Sequence, residues 1–425
     1  MKQMRVKWVA LSSIGLMVFA GTSSGGELGD LLRHALSHPA IEARALDTQA
    51  AQSELASATQ RYFGGGAVSA ETAHYNDDRF LGAFTPSAFA NPRFAQDASR
   101  YGVSYSIPID LFGAIAASRA TAKSNLEAAR LLERQETLMR LHAATSAYLG
   151  LQSLATQEDA LRAQRDRVNT TLERVRREVQ VQLSAGVDLK LAESEAARLE
   201  SDEVRLNGLM AQASAALREA TGQELVPSRS ERSIPAWTQG QNAEGLPVLL
   251  AKAQTEALDA QAREARRSLL PQISAVGDYS QFQGTAGVPD AWSVGARFTI
   301  PIEPAAYRRA SSLDARARAA EKRELAAAGE FQREWAKLKS AYDTAVADLA
   351  AAQKEVAARE EVVKVQVELQ RVGMTSMEDL LRQQRDLFDS QSRLADARAR
   401  AIATWSAAQV VLGTQPTNYI NALDP

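Results

Sequence analysis

Two hydrophobic periodicities alternate along the chain, and each of them occurs twice. Residues 101–109 read YGVSYSIPI and residues 292–302 read WSVGARFTIPI, so apolar and polar side chains alternate along both segments. This period of two residues predicts β-strands with one apolar and one polar face. Both segments end on Ile-Pro-Ile and lead into long stretches rich in Ala, Arg and Glu. The order of strand followed by long helix is therefore expected twice.

The spacing of landmark residues indicates that half of the protein has been duplicated. Pro108 and Pro301 lie 193 residues apart, and Gly222 and Gly413, which close the helical stretches, lie 191 residues apart. Each repeat is predicted to hold a helix, two strands joined by a loop, and a long helical hairpin. The expected boundaries are residues 27–222 and 246–414 for the repeats, 223–245 for a linker and 415–425 for a C-terminal tail.

Each alternating segment has a predicted strand partner just upstream. Residues 272–281 are expected to pair across a short loop containing Gly284, Gly287 and Pro289. Residues 66–75 are expected to pair across a longer loop at about 76–99, although alternation in this strand is blurred. Strands of about ten residues with aromatic side chains near their ends are typical of outer-membrane barrels. We expect the apolar faces to meet lipid through Tyr101, Val103, Tyr105, Trp292, Val294 and Phe298.

The alternative for these strands is a pair of half-buried hairpins in a soluble protein. Only helices could cover their apolar faces, and the predicted helices carry narrow apolar stripes. A membrane location has a physical consequence, because four strands cannot close a barrel and open strand edges are not tolerated in lipid. The smallest closed barrels need about eight strands. The sequence therefore predicts an obligate oligomer in which several chains share one barrel.

The helical stretches are too long for a globular core. Residues 111–183 and 305–372 contain no proline. About 70 helical residues make a rod of roughly 105 Å. Apolar residues recur every seven positions, as coiled coils require. The repeating positions are Leu154, Leu161, Val168 and Val175 in the first half and Leu380, Leu387, Leu394, Ala401 and Ala408 in the second. These narrow stripes favour a hollow tube or a coiled-coil scaffold.

Two glycines are expected to turn the helical hairpins at the end far from the strands. Gly186 lies in VQLSAGVDLKLAESEA and Gly373 lies in LQRVGMTSMEDLLRQQRDLFDSQ. Glycine suits the left-handed backbone of such a turn. Acidic residues follow, and as helix caps they would be unremarkable. They are Asp188 after the first turn and Glu378 and Asp379 after the second.

The N-terminus has the layout of a secretory signal peptide. Lys2, Arg5 and Lys7 precede an apolar stretch that ends near Ala20. This stretch of about 13 residues is short for the ~20 that a spanning helix needs, so a cleaved signal at residues 1–20 is expected. A membrane anchor is the alternative. No later segment is apolar enough for a transmembrane helix.

Composition excludes several classes of function. The absence of cysteine excludes disulfides, thiolate metal sites and an N-terminal lipid anchor. A net charge of −2 gives no reason to expect nucleic acid as a partner. His34 and His38 have a spacing compatible with a metal, but no third ligand is evident. No nucleophile motif or phosphate-binding loop is present, so the chain is not expected to be an enzyme or to use a cofactor.

Several motifs together resemble the outer-membrane factor family, the TolC-like exit ducts of efflux pumps and type I secretion systems. They are LGDLLRHALSHPAIEARALDTQAAQSELA near the start, LLPQISAVGDYS before a strand, FTIPI before a long helix, RVGMTSMEDLLRQQRDL, and the final Leu412-Gly413. Their order and spacing carry the resemblance over nearly the whole chain. The first half departs from it at residues 61–66, which read RYFGGG where the second half has Leu-Leu-Pro.

The resemblance implies a homotrimer whose subunits supply four strands each to a twelve-stranded barrel in outer-membrane lipid. The helices would form a long periplasmic tube, closed at its tip. The fold class expected is thus mainly α with a transmembrane β-barrel portion. The implied partners are a periplasmic adaptor protein and an inner-membrane transporter, and the implied location is the outer membrane of a Gram-negative bacterium.

The resemblance also implies two sets of functional residues at the tip. In the family, aspartates at the sixth and ninth positions after the glycine of the closing turn form a ring around the pore. Here these positions are Asp379 and Arg382. A full ring of aspartates is therefore not expected, and an ion pair between these two residues, within or between subunits, is expected instead. The expected pore constriction comprises Asp379, Arg382 and Glu378. The expected adaptor-docking residues are Val372, Gly373, Met374 and Thr375 at one turn and Ala185, Gly186, Val187 and Asp188 at the other.

A periplasmic coiled-coil adaptor or scaffold is the alternative function. An adaptor has one helical hairpin between β-rich domains, whereas this chain is predicted to have two hairpins and little β-structure outside the four strands. An enzyme acting on the cell envelope is a third possibility. It would need a constellation of carboxylates on the strand loops, where only Asp77, Asp78 and Asp97 lie, without a pattern. The cargo is not encoded in any feature of the sequence.

Overall fold

A computed structural model describes residues 26–82, 86–183, 185–229, 232–237, 244–284 and 290–424. The predicted signal peptide at residues 1–20 lies outside the described residues. Gly287 and Pro289 of the predicted hairpin loop also lie outside them.

The two halves of the chain repeat the same succession of elements. The first half contains α1 (Glu27–Ala35), α2 (Pro39–Gln60), β1 (Gly65–Phe80), α3 (Pro86–Ala90), β2 (Phe94–Ile109), α4 (Ala114–Gln180) and α5 (Gly186–Thr221). The second contains α6 (Leu246–Arg267), β3 (Gln272–Gly284), β4 (Asp290–Thr299), α7 (Pro304–Arg371) and α8 (Met377–Leu412), followed by α9 (Pro416–Leu423). Helices α2 and α6 have 22 residues each, α4 and α7 have 67 and 68, and α5 and α8 have 36 each. These matched lengths confirm the predicted duplication of a helix, strand, strand and long hairpin unit.

The four strands form one antiparallel sheet in the order β1-β2-β3-β4. Strands β1 and β2 extend well beyond the predicted segments at 66–75 and 101–109, and the predicted loop at 76–99 is correspondingly shorter. A register shift between His74 and Arg79 interrupts the pairing. This irregularity explains why alternation in the sequence did not reveal the outer part of the hairpin. Strand β4 ends at Thr299, three residues before the predicted end.

The long helices lie side by side in a layer. Towards the tip, α5 packs on α4, α4 on α8, and α8 on α7; towards the sheet, α2 packs on α4, α4 on α6, and α6 on α7. The first repeat therefore supplies one edge of the layer, through α2 and α5, and the second repeat supplies the other, through α7. The sheet has the same arrangement, with β1 at one edge and β4 at the other.

The predicted heptad positions form the core between the hairpins. Leu161, Val168 and Val175 of α4 pack in one cluster with Leu199 of α5 and Leu380 of α8. Within the described residues, the helices are held by such narrow stripes along most of their length. The prediction of coiled-coil packing is confirmed.

A second core lies midway along the helices and includes the C-terminal segment. The predicted tail contains α9, whose Tyr419 is fully buried. The Tyr419 hydroxyl contacts Thr145 Oγ1 at 2.8 Å and also contacts Ser406 Oγ, which in turn lies 2.7 Å from His142 Nδ1. Burial raises the pKa of Tyr419 to about 12 and lowers the pKa of His142. These polar contacts fasten α9 to α4 and α8.

None of the described helices combines the length and the apolar character needed to cross a membrane.

Candidate functional site: the sheet face and the helical tip

Strand register divides the sheet into two faces with different chemistry. Tyr105 pairs with Gly277, which pairs with Val294, and Val103 pairs with Tyr279, which pairs with Trp292. Directly paired residues project from the same face of a sheet. One face therefore contains all six predicted lipid-facing residues: Tyr101, Val103, Tyr105, Trp292, Val294 and Phe298. We call it the apolar face. The opposite, polar face carries serines, among them Ser104 and Ser293, which both pair with Asp278.

The apolar face is exposed, and on β2 it is more exposed than the polar face. Val103 is 52% exposed, Trp292 76% and Val294 79%. Ser104 and Ser106 on the polar face of β2 are only partly exposed. A sheet in a soluble protein buries its apolar face instead, because removing apolar area from water is the main favourable contribution to folding. No described helix lies across this apolar face, so another apolar medium or partner must cover it.

Three further members of the apolar face were missed by sequence reasoning. Tyr279 lies between Val103 and Trp292 in the register, Val68 pairs with Val103, and Ile273 pairs with Phe298. Tyr279 was missed because alternation in β3 is interrupted by Val276 on the polar face and Gly277 on the apolar face. Pairing each strand with the next in the sequence would have revealed it.

The second tip turn has the geometry predicted for it. Gly373 has φ +78°, in the left-handed region. Ser376 Oγ caps α8 by accepting a hydrogen bond of 3.0 Å from the Asp379 backbone N–H, and it donates to Asp379 Oδ2 at 2.7 Å. Arg382 Nη2 lies 2.5 Å from Asp379 Oδ1. The Asp379–Arg382 ion pair therefore forms within one chain. Glu378, the third predicted constriction residue, is exposed beside them.

The first tip turn differs from the prediction. Gly186 is the first residue of α5 and lies outside the positive-φ region, whereas Gln182 has φ +60°. Gln182 is the one residue other than glycine with positive φ among the described residues. The left-handed position was missed because a glutamine gives no sequence signal for it. The predicted turn at Gly186 was therefore wrong by several residues.

Exposed apolar side chains surround both turns. Val372 and Met374 at the second turn, and Leu183 and Val187 at the first, are all more than half exposed. Val372 and Met374 flank Gly373, and Val187 follows Gly186, so these side chains lie among the predicted adaptor-docking residues. Thr375, Ala185 and Asp188 complete that set, and Asp188 lies in the first turn of α5.

A buried carboxylate connects the two hairpins close to the tip. Glu195 of α5 is 4% exposed and accepts hydrogen bonds from Arg198 Nη2 at 2.6 Å and from Arg385 Nη2 of α8 at 2.5 Å. Burial alone would raise the pKa of Glu195, but hydrogen bonds from the two arginines outweigh it and lower that pKa. The hydrogen bond that Arg198 donates to Glu195 raises the pKa of Arg198. Arg174 of α4 also donates to Gln370 of α7. The hairpins are thus joined at two levels.

Of the two histidines with a metal-compatible spacing, His34 and His38, the second caps a helix. His38 precedes α2, and its Nδ1 accepts a hydrogen bond of 3.1 Å from Ala40 N–H. Within the described ranges, His, Asp and Glu side chains form no group of three that could hold a metal ion.

Comparison with known proteins agrees with this architecture. Residues 246–414 match the family described as Outer membrane efflux protein, and this match agrees with the predicted outer-membrane location. No curated protein matches the chain. The CmeC outer membrane channel of Campylobacter jejuni matches with a TM-score of 0.80 and 13% identity over 100% of this chain and 98% of that one.

Two other solved structures extend the comparison. The outer membrane protein VceC of Vibrio cholerae matches with a TM-score of 0.77 and 18% identity, over 92% of this chain and 96% of that one. The MtrE outer membrane channel of Neisseria gonorrhoeae matches with a TM-score of 0.73 and 16% identity, over 92% and 89%. At these identities the likeness establishes a shared fold. The second repeat therefore resembles the outer membrane efflux protein family, and the chain as a whole has the fold of these outer membrane proteins.

Proposed function

We propose that this chain is the outer-membrane exit duct of a tripartite efflux pump or of a type I secretion system. It acts as a passive conduit across the outer membrane and the periplasm, and it is gated at its periplasmic tip. The observation that carries this proposal is the apolar face of the sheet, which is exposed where a soluble protein would bury it.

Lipid is the medium that suits this face. Its side chains are aromatic and aliphatic over strands long enough to span an outer membrane. The paired rows run from Ile109–Ile273–Phe298 at the base of the sheet to Val103–Tyr279–Trp292 further out. Beyond them lie polar pairs such as His74–Asp97, 2.8 Å apart. This order, apolar near the helices and polar further out, fits a band of lipid followed by water.

The open edges of the chain support a ring of identical subunits. Strand edges β1 and β4 must be paired in lipid, because each unpaired backbone group there costs several kcal/mol. Joining β4 of one copy to β1 of the next pairs both edges, and the same operation brings α7 of one copy towards α2 and α5 of the next. Three copies supply twelve strands, which suffices for a closed barrel. We therefore propose a homotrimer.

The tip supplies the surface for partners. Exposed Val372, Met374, Leu183 and Val187 form apolar patches at both turns, and scattered apolar side chains next to charged helices suit the docking of another helical hairpin. A periplasmic adaptor protein is the partner that we propose there, with an inner-membrane transporter behind it. The CmeC and MtrE structures are of outer membrane channels, in keeping with this role.

The mass of the purified protein tests the proposal. The full chain is expressed with its N-terminal segment, the membranes are extracted with detergent, and the mass of the protein–detergent complex is measured by light scattering. We expect the protein in the outer-membrane fraction, at about three times the mass of one mature chain. A stable monomer that purifies from the periplasm without detergent would contradict the proposal and favour the adaptor or scaffold alternative.

A further inference from the structure

A cavity of about 570 Å³ lies at the base of the sheet, where the strands meet the helices. Three arginines line it: Arg61 just after α2, Arg267 at the end of α6, and Arg297 in β4. The strand residue Ser274, which pairs with Arg297, also lines it. By register both residues belong to the polar face. In the proposed conduit, on which this inference rests, the polar face is the lumen side.

The three guanidinium groups have no acidic partner within the described residues. Arg61 Nη1 donates to Ser118 Oγ at 2.9 Å, and Arg267 Nη1 donates to the Gly113 carbonyl oxygen at 2.9 Å. Both acceptors are neutral. Arg297 makes no hydrogen bond or ion pair with any described residue, and its side chain is exposed. Many arginines on the long helices, by contrast, lie within 4 Å of a carboxylate, as Arg359 does with Asp386 at 2.9 Å.

Asp110, the acidic residue in the cavity lining, already accepts hydrogen bonds from the backbone of α4. Asp110 Oδ1 accepts a hydrogen bond of 3.1 Å from Ile115 N–H, and Oδ2 accepts one of 2.9 Å from Ala116 N–H. These bonds cap the start of α4, where the unpaired N–H groups and the helix dipole favour a negative charge. The Asp110 carboxylate therefore caps α4, and the charges of the three arginines remain available to a ligand.

We propose that this cavity binds oxyanions, that is, solutes carrying a phosphate or carboxylate group. Guanidinium groups match the geometry of both oxyanions and form charge-assisted hydrogen bonds with them. Three like charges around one cavity repel each other, and a bound anion relieves that repulsion. Leu111, Phe112 and Pro271 supply an apolar part of the lining, which suits the organic portion of such a solute. In a trimer three of these sites ring the throat between barrel and helical tube.

Inorganic phosphate is the probe for this site. Equilibrium dialysis of radiolabelled phosphate against the full-length, detergent-purified protein at low ionic strength should give saturable binding that weakens as salt is added. Arg297→Gln should weaken binding at least tenfold. Arg297→Lys keeps the charge and should retain much of the binding. Because Arg297 is exposed and has no partner in the described chain, neither change should disturb folding.

Arg100→Gln is the matched control. Arg100 also lies on the polar face, but it pairs with Phe282, eight residues along β3 from Ser274. At about 3.3 Å per residue the two arginines are about 26 Å apart along the strand direction. Phosphate binding by Arg100→Gln should equal that of the unchanged protein.

Three outcomes would overturn the anion site: no saturable binding by the unchanged protein, unaltered binding by Arg297→Gln, or an equal loss in Arg100→Gln. Each is independent of the proposed conduit, which the mass measurement tests. A trimer that binds no phosphate would remove the anion site alone. A monomer that binds phosphate would retain the site, because one chain supplies all three arginines, and would remove the conduit.

Discussion

Arg382 and Asp379 form an ion pair near the start of α8, with Arg382 Nη2 at 2.5 Å from Asp379 Oδ1. The same carboxylate contacts Ser376, which caps the helix. Around a three-fold axis, three Asp379 carboxylates would repel each other, and the arginine beside each one offsets that repulsion. The pair is therefore suited to holding a closed tip.

Reversing the charge of Arg382 should loosen the tip. Arg382→Asp places two acids on one helix face, and their repulsion with symmetry-related copies should favour an open state. Conductance in planar bilayers should rise, most clearly at low ionic strength, since salt screens exposed charges. Arg371→Asp is the control, because Arg371 pairs with Glu368 on the neighbouring α7 outside the predicted constriction. If Arg382→Asp conducts normally while changes at residues 186–188 open the pore, the gate lies on the first hairpin.

Substitution by arginine should be costly on the apolar face of the sheet and tolerated on the polar face. Val103→Arg or Val294→Arg should cost about 2–4 kcal/mol near the middle of the bilayer, falling towards zero at its edges. Ser104→Arg and Ser293→Arg, on the polar face of the same strands, should be tolerated. The fraction of trimer that survives extraction in detergent measures the effect. Equal tolerance at all four positions would indicate a soluble hairpin.

The two tip glycines should respond in opposite directions to alanine. Gly373→Ala places a side chain at φ +78°, which costs roughly 1–2 kcal/mol. Gly186→Ala lies in the first turn of α5 and should be neutral or stabilising by up to about 1 kcal/mol. Proteolysis of the tip in the assembled protein provides the measurement. Faster cleavage in Gly186→Ala than in Gly373→Ala would show that the turn geometry is misassigned.

Acidification should weaken the core midway along the helices through His142. Burial lowers the pKa of His142, so the unfolded chain binds the proton more readily than the folded one, and stability falls as pH drops below the ordinary histidine pKa of about 6.5. His142→Gln should reduce the difference in thermal midpoint between pH 7.5 and pH 5.5, followed by helical circular dichroism. Exposed His34→Gln is the control and should leave that difference unchanged. An undiminished difference in His142→Gln would assign the acid sensitivity to other groups.

Periodicity alone predicted much of this fold. The heptads of α4 and α8 and the alternation in β2 and β4 are local patterns, and each gave the right element and the right buried or exposed side. Features set by distant contacts were missed. Glu195 meets Arg385 across 190 residues, and α9 is held by Ser406 and Thr145. Neither contact produces a repeating pattern in the sequence, because each depends on how separate helices pack together.

The left-handed Gln182 and the outer part of β1 were missed for a different reason. At Gln182 the backbone adopts a conformation that its residue type does not favour, so composition pointed to Gly186 instead. In β1 the residues 76–79, beyond His74, are polar on both faces, as expected for strands that extend into water. Hydrophobic patterning gives no signal where both faces of an element are exposed to water.

The shared edges of sheet and helix layer have a consequence for assembly. Because β1 and α2 come from one repeat and β4 and α7 from the other, a single contact between neighbouring copies in the proposed trimer joins both layers at once. The barrel and the helical layer must then contain the same number of subunits. A change that favoured a fourth copy in the helical layer would also have to admit four more strands to the barrel. Mutations that alter copy number should therefore abolish assembly rather than produce rings of a new size.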